Sequence, residues 1–153
     1  MVKDFRRLWK NYIFQSFLAV LAMLIVLLFL SIEHAVIVAS IGATSFIVFA
    51  MPNSVTAKAR NVIGGHIIGL LCGSLSTVIP HHPSLNAIIY SIAVGLSIFL
   101  MVITDTEHPP ASGTALGVAI KGFHLNVAMA VIISALTLSV IHHSFRRYLK
   151  DLV

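Results

Sequence analysis

The residues best suited to chemistry lie in one run, Glu107-His108-Pro109-Pro110-Ala111-Ser112-Gly113-Thr114. Two prolines fit the first turn of a helix, where no amide proton is needed, and they stop the apolar segment before them. The small residues that follow let another backbone or a solute approach closely. A helix that begins inside an apolar phase turns its free amides and the positive end of its dipole inward, which suits an anion. Ser112 and Thr114 add hydroxyl donors, and His108 adds a proton or a hydrogen bond. Glu107 and His108 are the groups that would titrate if proton movement is coupled to the site. Asp105 reads equally as a loop solubiliser. The plainer reading of the whole run is a proline-stopped loop at a membrane surface.

A second set lies upstream, in Arg60-Asn61-Val62-Ile63-Gly64-Gly65-His66-Ile67-Ile68-Gly69. An ionisable side chain such as His66 inside an apolar span faces partners or a cavity. Arg60 and Asn61 stand at the start of that span, where they could meet an anion. Arg60 could equally serve only as a topology charge. Gly65, Gly69 and Gly73 recur every four residues and make a smooth strip for close packing, as do Gly113 and Gly117. The chain has eight histidines, but none are spaced as a helical zinc pair, so neither a metal nor a cofactor is expected. Cys72, alone of its type, excludes an internal disulfide and reads as a packing residue.

These residues must be held by membrane helices. The chain is 58% hydrophobic and 10% charged, with mean hydropathy +1.00, whereas a soluble domain carries roughly a quarter charged residues. The fold expected is an all-α, polytopic transmembrane bundle, a single domain over 1–153. Apolar segments fall at 12–32, 35–51, 62–79, 85–104, 111–120 and 124–141, the second and fifth too short for a plain crossing. The first reads as a retained span, too long for a signal-peptide core. Glu33-His34 and Glu107-His108 stand 74 positions apart, and Gly42-Ala43-Thr44-Ser45 resembles Ser112-Gly113-Thr114-Ala115. These markers suggest a three-plus-three inverted repeat, 12–79 and 85–141, with a site near midplane.

The net charge is +5, with basic residues gathered at both termini. That distribution argues for a cell inner or plasma membrane with both termini cytoplasmic. Lys58 and Arg60 then fall on the cytoplasmic side, and Lys121 alone departs from the pattern. No basic face interleaved with aromatics is present to bind nucleic acid. The expected partners are the lipid bilayer, a small anion and further copies of the chain, since a bundle this small is thin to enclose a path alone.

The run from His108 to Leu116 resembles the signature of the HPP family of integral membrane proteins. There the His-Pro-Pro triplet is followed by Ala-Gly-Ala-Thr-Ala; here Ser112-Gly113 stands in place of Gly-Ala. Arg60 to His66 resembles the family's Pro-Arg-Asn-Val-Ile-Gly-Gly-His stretch, with Ala59 in place of proline. Gly42-Ala43-Thr44-Ser45 is similar to its Gly-Ala-Ser/Thr segment. The resemblance implies four spans and transport, with nitrite the solute associated with plant and cyanobacterial relatives. The reading that results is a membrane transporter or channel for a small inorganic anion. Thr44, Arg60, Asn61, His66, His108, Pro109, Pro110, Ser112, Gly113 and Thr114 would form its site. A structural or assembly subunit is the alternative. A membrane-embedded enzyme is not expected, because Ser112 reaches His108 only on a continuous helix that Pro109 and Pro110 interrupt.

Overall fold

The computed structural model describes residues 2–27, 35–80 and 82–153, with side chains from Leu8 onward. Glu33, His34 and His81 lie outside the described residues. The chain forms α1 (Val2–Leu27), α2 (Ala35–Ala50), α3 (Ala59–Val78), α4 (Asn86–Ile103), α5 (Pro110–Lys121) and α6 (Leu125–Phe145). No strand occurs among the described residues. Four segments are long and apolar enough to cross a membrane: Leu8–Leu27, Ala59–Val78, Pro83–Ile103 and Leu125–Tyr148. Between them lie α2, of 16 residues, and α5, of 12 residues. At 1.5 Å per residue these reach only about 24 Å and about 18 Å. Six hydropathic segments and four spans are therefore both correct descriptions of the bundle.

The breaks follow from local chemistry. Pro52 ends α2, and the Ser54 side chain caps the following short turn by accepting from the Thr56 amide. α4 ends where Asp105 takes a left-handed conformation (φ 54°), which Asp tolerates better than most residues. The Thr106 amide then closes back onto the Met101 carbonyl at 2.9 Å. Gly122 (φ 86°) ends α5 and lets the chain turn into α6.

One end of the bundle gathers both chain termini. Asn11 donates to the Tyr148 carbonyl (3.1 Å) and the Tyr12 hydroxyl to that of Leu152 (2.9 Å). The Leu152 amide donates to Ala50 at the end of α2 (2.9 Å). Buried Gln15 donates to the carbonyls of Phe49 and Lys150 and accepts from the Lys150 amide. Arg60 and Asp105 bring the start of α3 and the end of α4 to the same end. The helices thus alternate in direction, and Lys58, Arg60, Arg146, Arg147 and Lys150 share one side, as the charge pattern required.

Four helices each have three neighbours: α3 packs on α4, α5 and α6, α2 on α1, α5 and α6, α5 on α2, α3 and α4, and α6 on α1, α2 and α3. Exchanging α1 with α4, α2 with α5 and α3 with α6 leaves this set of neighbours unchanged. Outward positions such as Ile13, Phe17, Leu24, Leu71, Leu75, Ile92, Phe99 and Val140 are exposed, the expected arrangement where lipid replaces water.

The glycine strip of α3 faces α5. A Cβ on Gly65 would lie 2.7 Å from the His108 Cβ, and one on Gly73 would lie 2.6 Å from the Ala115 carbonyl oxygen. A Cβ on Gly69 would collide with the Ala111 carbonyl oxygen. Gly95 on α4 has nothing within 4 Å. Gly69→Ala should therefore cost about 1–3 kcal/mol through forced backbone shifts, while Gly95→Ala, inside a helix with open space around it, should be neutral or stabilising by up to about 1 kcal/mol. Denaturant unfolding in detergent checks this; equal stability of the two variants would refute the α3–α5 contact.

Candidate functional site

The buried polar groups meet where α2, α3 and α5 come together. His66 projects from α3, held close to α5 by the glycines around it. His108 sits immediately before α5, where Pro109 and Pro110 end one chain direction and begin another. Thr44 on α2 stands between the two rings. Its hydroxyl lies 3.0 Å from His66 Nε2 and 2.9 Å from His108 Nε2. The ring centroids are 5.2 Å apart. His66 Nδ1 lies 2.9 Å from the Thr114 hydroxyl, which lies 3.0 Å from that of Ser40. At the other end His108 Nδ1 donates to the Thr56 carbonyl (2.8 Å). Thr44, His66, His108 and Thr114 are all 0% exposed, so every imidazole nitrogen is satisfied by protein and none by solvent.

The direction of this row is fixed by the one member that can only accept. The Thr56 carbonyl requires a proton on His108 Nδ1. With that ring neutral, Nε2 is bare and the Thr44 hydroxyl donates to it. Thr44 then accepts from His66 Nε2–H, which leaves His66 Nδ1 to accept from Thr114, and Thr114 to accept from Ser40. Five protons satisfy the five contacts along the row. Two backbone acceptors remain in competition. The Ser40 hydroxyl also contacts the Pro110 carbonyl, and that of Thr44 lies 3.1 Å from the Ser40 carbonyl.

The other sequence candidates surround the row without joining it. Asn61 donates to the Glu107 carbonyl (3.1 Å) and so anchors the chain entering His108. Pro109, Pro110 and Gly113 shape the boundary with α2, where Gly113 faces the Ser40 side chain. Ser112 donates back to the Pro109 carbonyl (2.7 Å) on its own helix. Arg60 pairs with Asp105 at 2.7 Å and also donates to the Thr104 carbonyl (2.9 Å). Both charged side chains are more than half exposed (62% and 73%), which makes the pair a weak one.

The start of α5 corrects the expectation of free amides for an anion. Pro109 and Pro110 have none to offer, Ala111 N–H donates to the His108 carbonyl (2.9 Å), and Ser112 N–H donates to that of Pro109 (3.2 Å). The proline pair that permits the helix start also removes its anion-binding donors.

Ser40 is the residue the sequence reading did not select. It lies one helical turn before Thr44, on the same face. It also lies 74 positions before Thr114, the interval that separates the two Glu-His markers. Among the described residues no group of three His, Cys, Asp or Glu could hold a metal ion.

Comparison with known proteins agrees with this architecture. The model of the HPP transmembrane region matches residues 4–150. The chain belongs to the HPP family. Two transmembrane proteins of Dictyostelium discoideum are also similar to it. One is 36% identical over 88 residues, 57% of this chain and 31% of the relative. The other is 30% identical over 104 residues, 66% of this chain and 33% of the relative. The chain thus matches about a third of the length of these curated relatives. No solved structure matches it. Family and apolar helices together make this HPP chain an integral membrane protein.

Thr44→Val would leave Nε2 of both imidazoles without a partner. A buried polar group so stranded costs about 1–3 kcal/mol, whereas Thr44→Ser keeps the hydroxyl and loses only a methyl group. Thr44→Val should therefore lower the unfolding midpoint clearly more than Thr44→Ser. Equal losses would show that the hydroxyl is not what holds the rings.

Proposed function

We propose that this HPP protein carries a small inorganic anion across the membrane, with nitrite the first solute to test by analogy with the family. The observation that supports the reading is the buried row itself. A wholly polar row, with two imidazoles, stands in an apolar bundle, where such groups are costly to bury and commonly mark a path. It lies where the two short helices, α2 and α5, meet the long span α3. In the conformation described it is closed, so passage requires α2 and α5 to part at the Ser40–Thr114 contact. We further propose that the two halves, 12–79 and 85–141, are inverted repeats that rock against each other there, and that the protein works as a homo-oligomer.

The same row supports a proton-coupled version of this reading. One added proton places hydrogens on both nitrogens of His108. Thr44 then donates to His66 Nε2, His66 Nδ1–H to Thr114, Thr114 to Ser40, and Ser40 to the Pro110 carbonyl. Every link is again satisfied: the donors between Ser40 and His108 are reversed, while His108 Nδ1–H still donates to the Thr56 carbonyl. A small anion arriving with a proton could leave that proton in the row without stranding any buried group. Glu107, whose carbonyl holds Asn61, lies beside the entry to His108.

The competing readings have less support. An assembly subunit packing through glycine strips is disfavoured because Gly65, Gly69 and Gly73 are already spent on α5. An enzyme is disfavoured because Ser112 is turned away from His108 and no carboxylate contacts either ring among the described residues.

Nitrite uptake into proteoliposomes tests the proposal, with His108→Ala and His108→Gln beside the parent. Protein-dependent entry is expected, faster when the outside is acidified, and reduced at least tenfold in both variants when they remain folded. No entry of nitrite or any other small anion through folded parent protein would defeat the transport reading. Entry undiminished in both variants would remove His108 from the path.

A further inference from the structure

The basic end of the bundle holds a second polar feature, distinct from the imidazole row. The link between α2 and α3 contributes Asn53 and Lys58, and the end of α6 contributes Ser139, His142, His143 and Arg146, to the wall of a cavity of about 110 Å³. A water molecule occupies about 30 Å³ of liquid, so the space suits a few waters or one small oxyanion.

Ser139 supplies a free donor there. A serine within a helix commonly returns its hydroxyl to the carbonyl one turn earlier. Ser134, on the same helix, does so to Ala130 at 2.7 Å. The Ser139 hydroxyl has no partner among the described residues, although Ser139 is only 4% exposed. A buried hydroxyl without a partner is costly, and this one lines the cavity.

The neighbouring polar groups are already engaged. His142 Nε2 donates to the Pro52 carbonyl (3.0 Å). Asn53 gives its backbone and side-chain N–H groups to the Asp151 carboxylate (3.1 and 2.9 Å). The Ser54 hydroxyl is held by Thr56 (2.8 Å). What remains is the Ser139 hydroxyl, the Lys58 ammonium, the Arg146 guanidinium and the His143 ring. Among the described residues neither Lys58 nor Arg146 has an acidic partner. The Asp151 carboxylate is bound by Asn53.

We propose that this cavity binds an oxyanion of phosphate size, with Ser139 Oγ donating to it and Lys58 and Arg146 supplying the charge. The phosphate is either free or the headgroup of an anionic lipid, since both cations are exposed at the end of the bundle. The site is separate from the imidazole row and is read by binding, so its failure and that of the transport reading are distinguishable.

The test uses the full purified chain. Thermal unfolding is followed in detergent with sodium phosphate against sodium chloride at matched ionic strength. It is followed also in nanodiscs of phosphatidylcholine with and without phosphatidic acid. A ligand that binds only the folded state raises the midpoint. Phosphate should raise that of the parent, and Ser139→Ala and Arg146→Gln should abolish the rise. Ser139→Ala deletes an unpartnered hydroxyl and should fold at least as stably as the parent without phosphate. A rise with phosphatidic acid that free phosphate does not reproduce, lost in the same variants, would assign the site to a lipid headgroup. No rise with either probe, or a rise retained in both variants, would overturn the proposal.

Discussion

Two imidazoles buried where lipid stands in for water must find every hydrogen bond within the protein. His66 and His108 meet this demand together, through one threonine hydroxyl shared between them. Because Thr44, His66, Thr114 and the Thr56 carbonyl come from different parts of the chain, the requirement fixes how α2, α3 and α5 sit. The rings are thus determinants of packing as much as chemical groups.

That demand explains features which look unrelated in the primary structure. Contacts near 3 Å between side chains as short as serine and threonine need backbones that approach closely. Gly65, Gly69 and Gly73 allow α3 to do so against α5, and Gly113 does the same for α5 against Ser40. The prolines place His108 at the mouth of a short helix instead of within a long one. Asn61 then holds the Glu107 carbonyl and keeps the entering strand of chain in place.

Much of this was legible in the residues. The apolar segments, the stops at Pro52 and Pro109-Pro110, the glycine strip and the burial of His66 all follow from residue type and spacing. So does the gathering of Lys58, Arg60 and the terminal basic residues at one end. What spacing could not reveal was which polar groups face each other. Arg60 and His66 are both near the start of α3, yet one pairs with exposed Asp105 and the other enters the core. Ser112 looked as available as Thr114, but two residues on a helix is about half a turn, and only Thr114 faces inward. Ser40 carries no local signal that sets it apart from Ser45 on the same apolar helix. Its role exists only across the interface with α5.

The row from Ser40 to Thr56 has a further property that comes from its order. All its hydrogen bonds point the same way, so their dipoles add. A single proton reverses the links from Ser40 to His108, and the polarisation of that stretch changes sign while each heavy atom can stay in place. Such an element stores one of two states in the orientation of its hydrogens. It would be nearly silent to methods that see shape, yet visible to infrared bands of hydroxyl and imidazole groups and sensitive to the field across the bilayer.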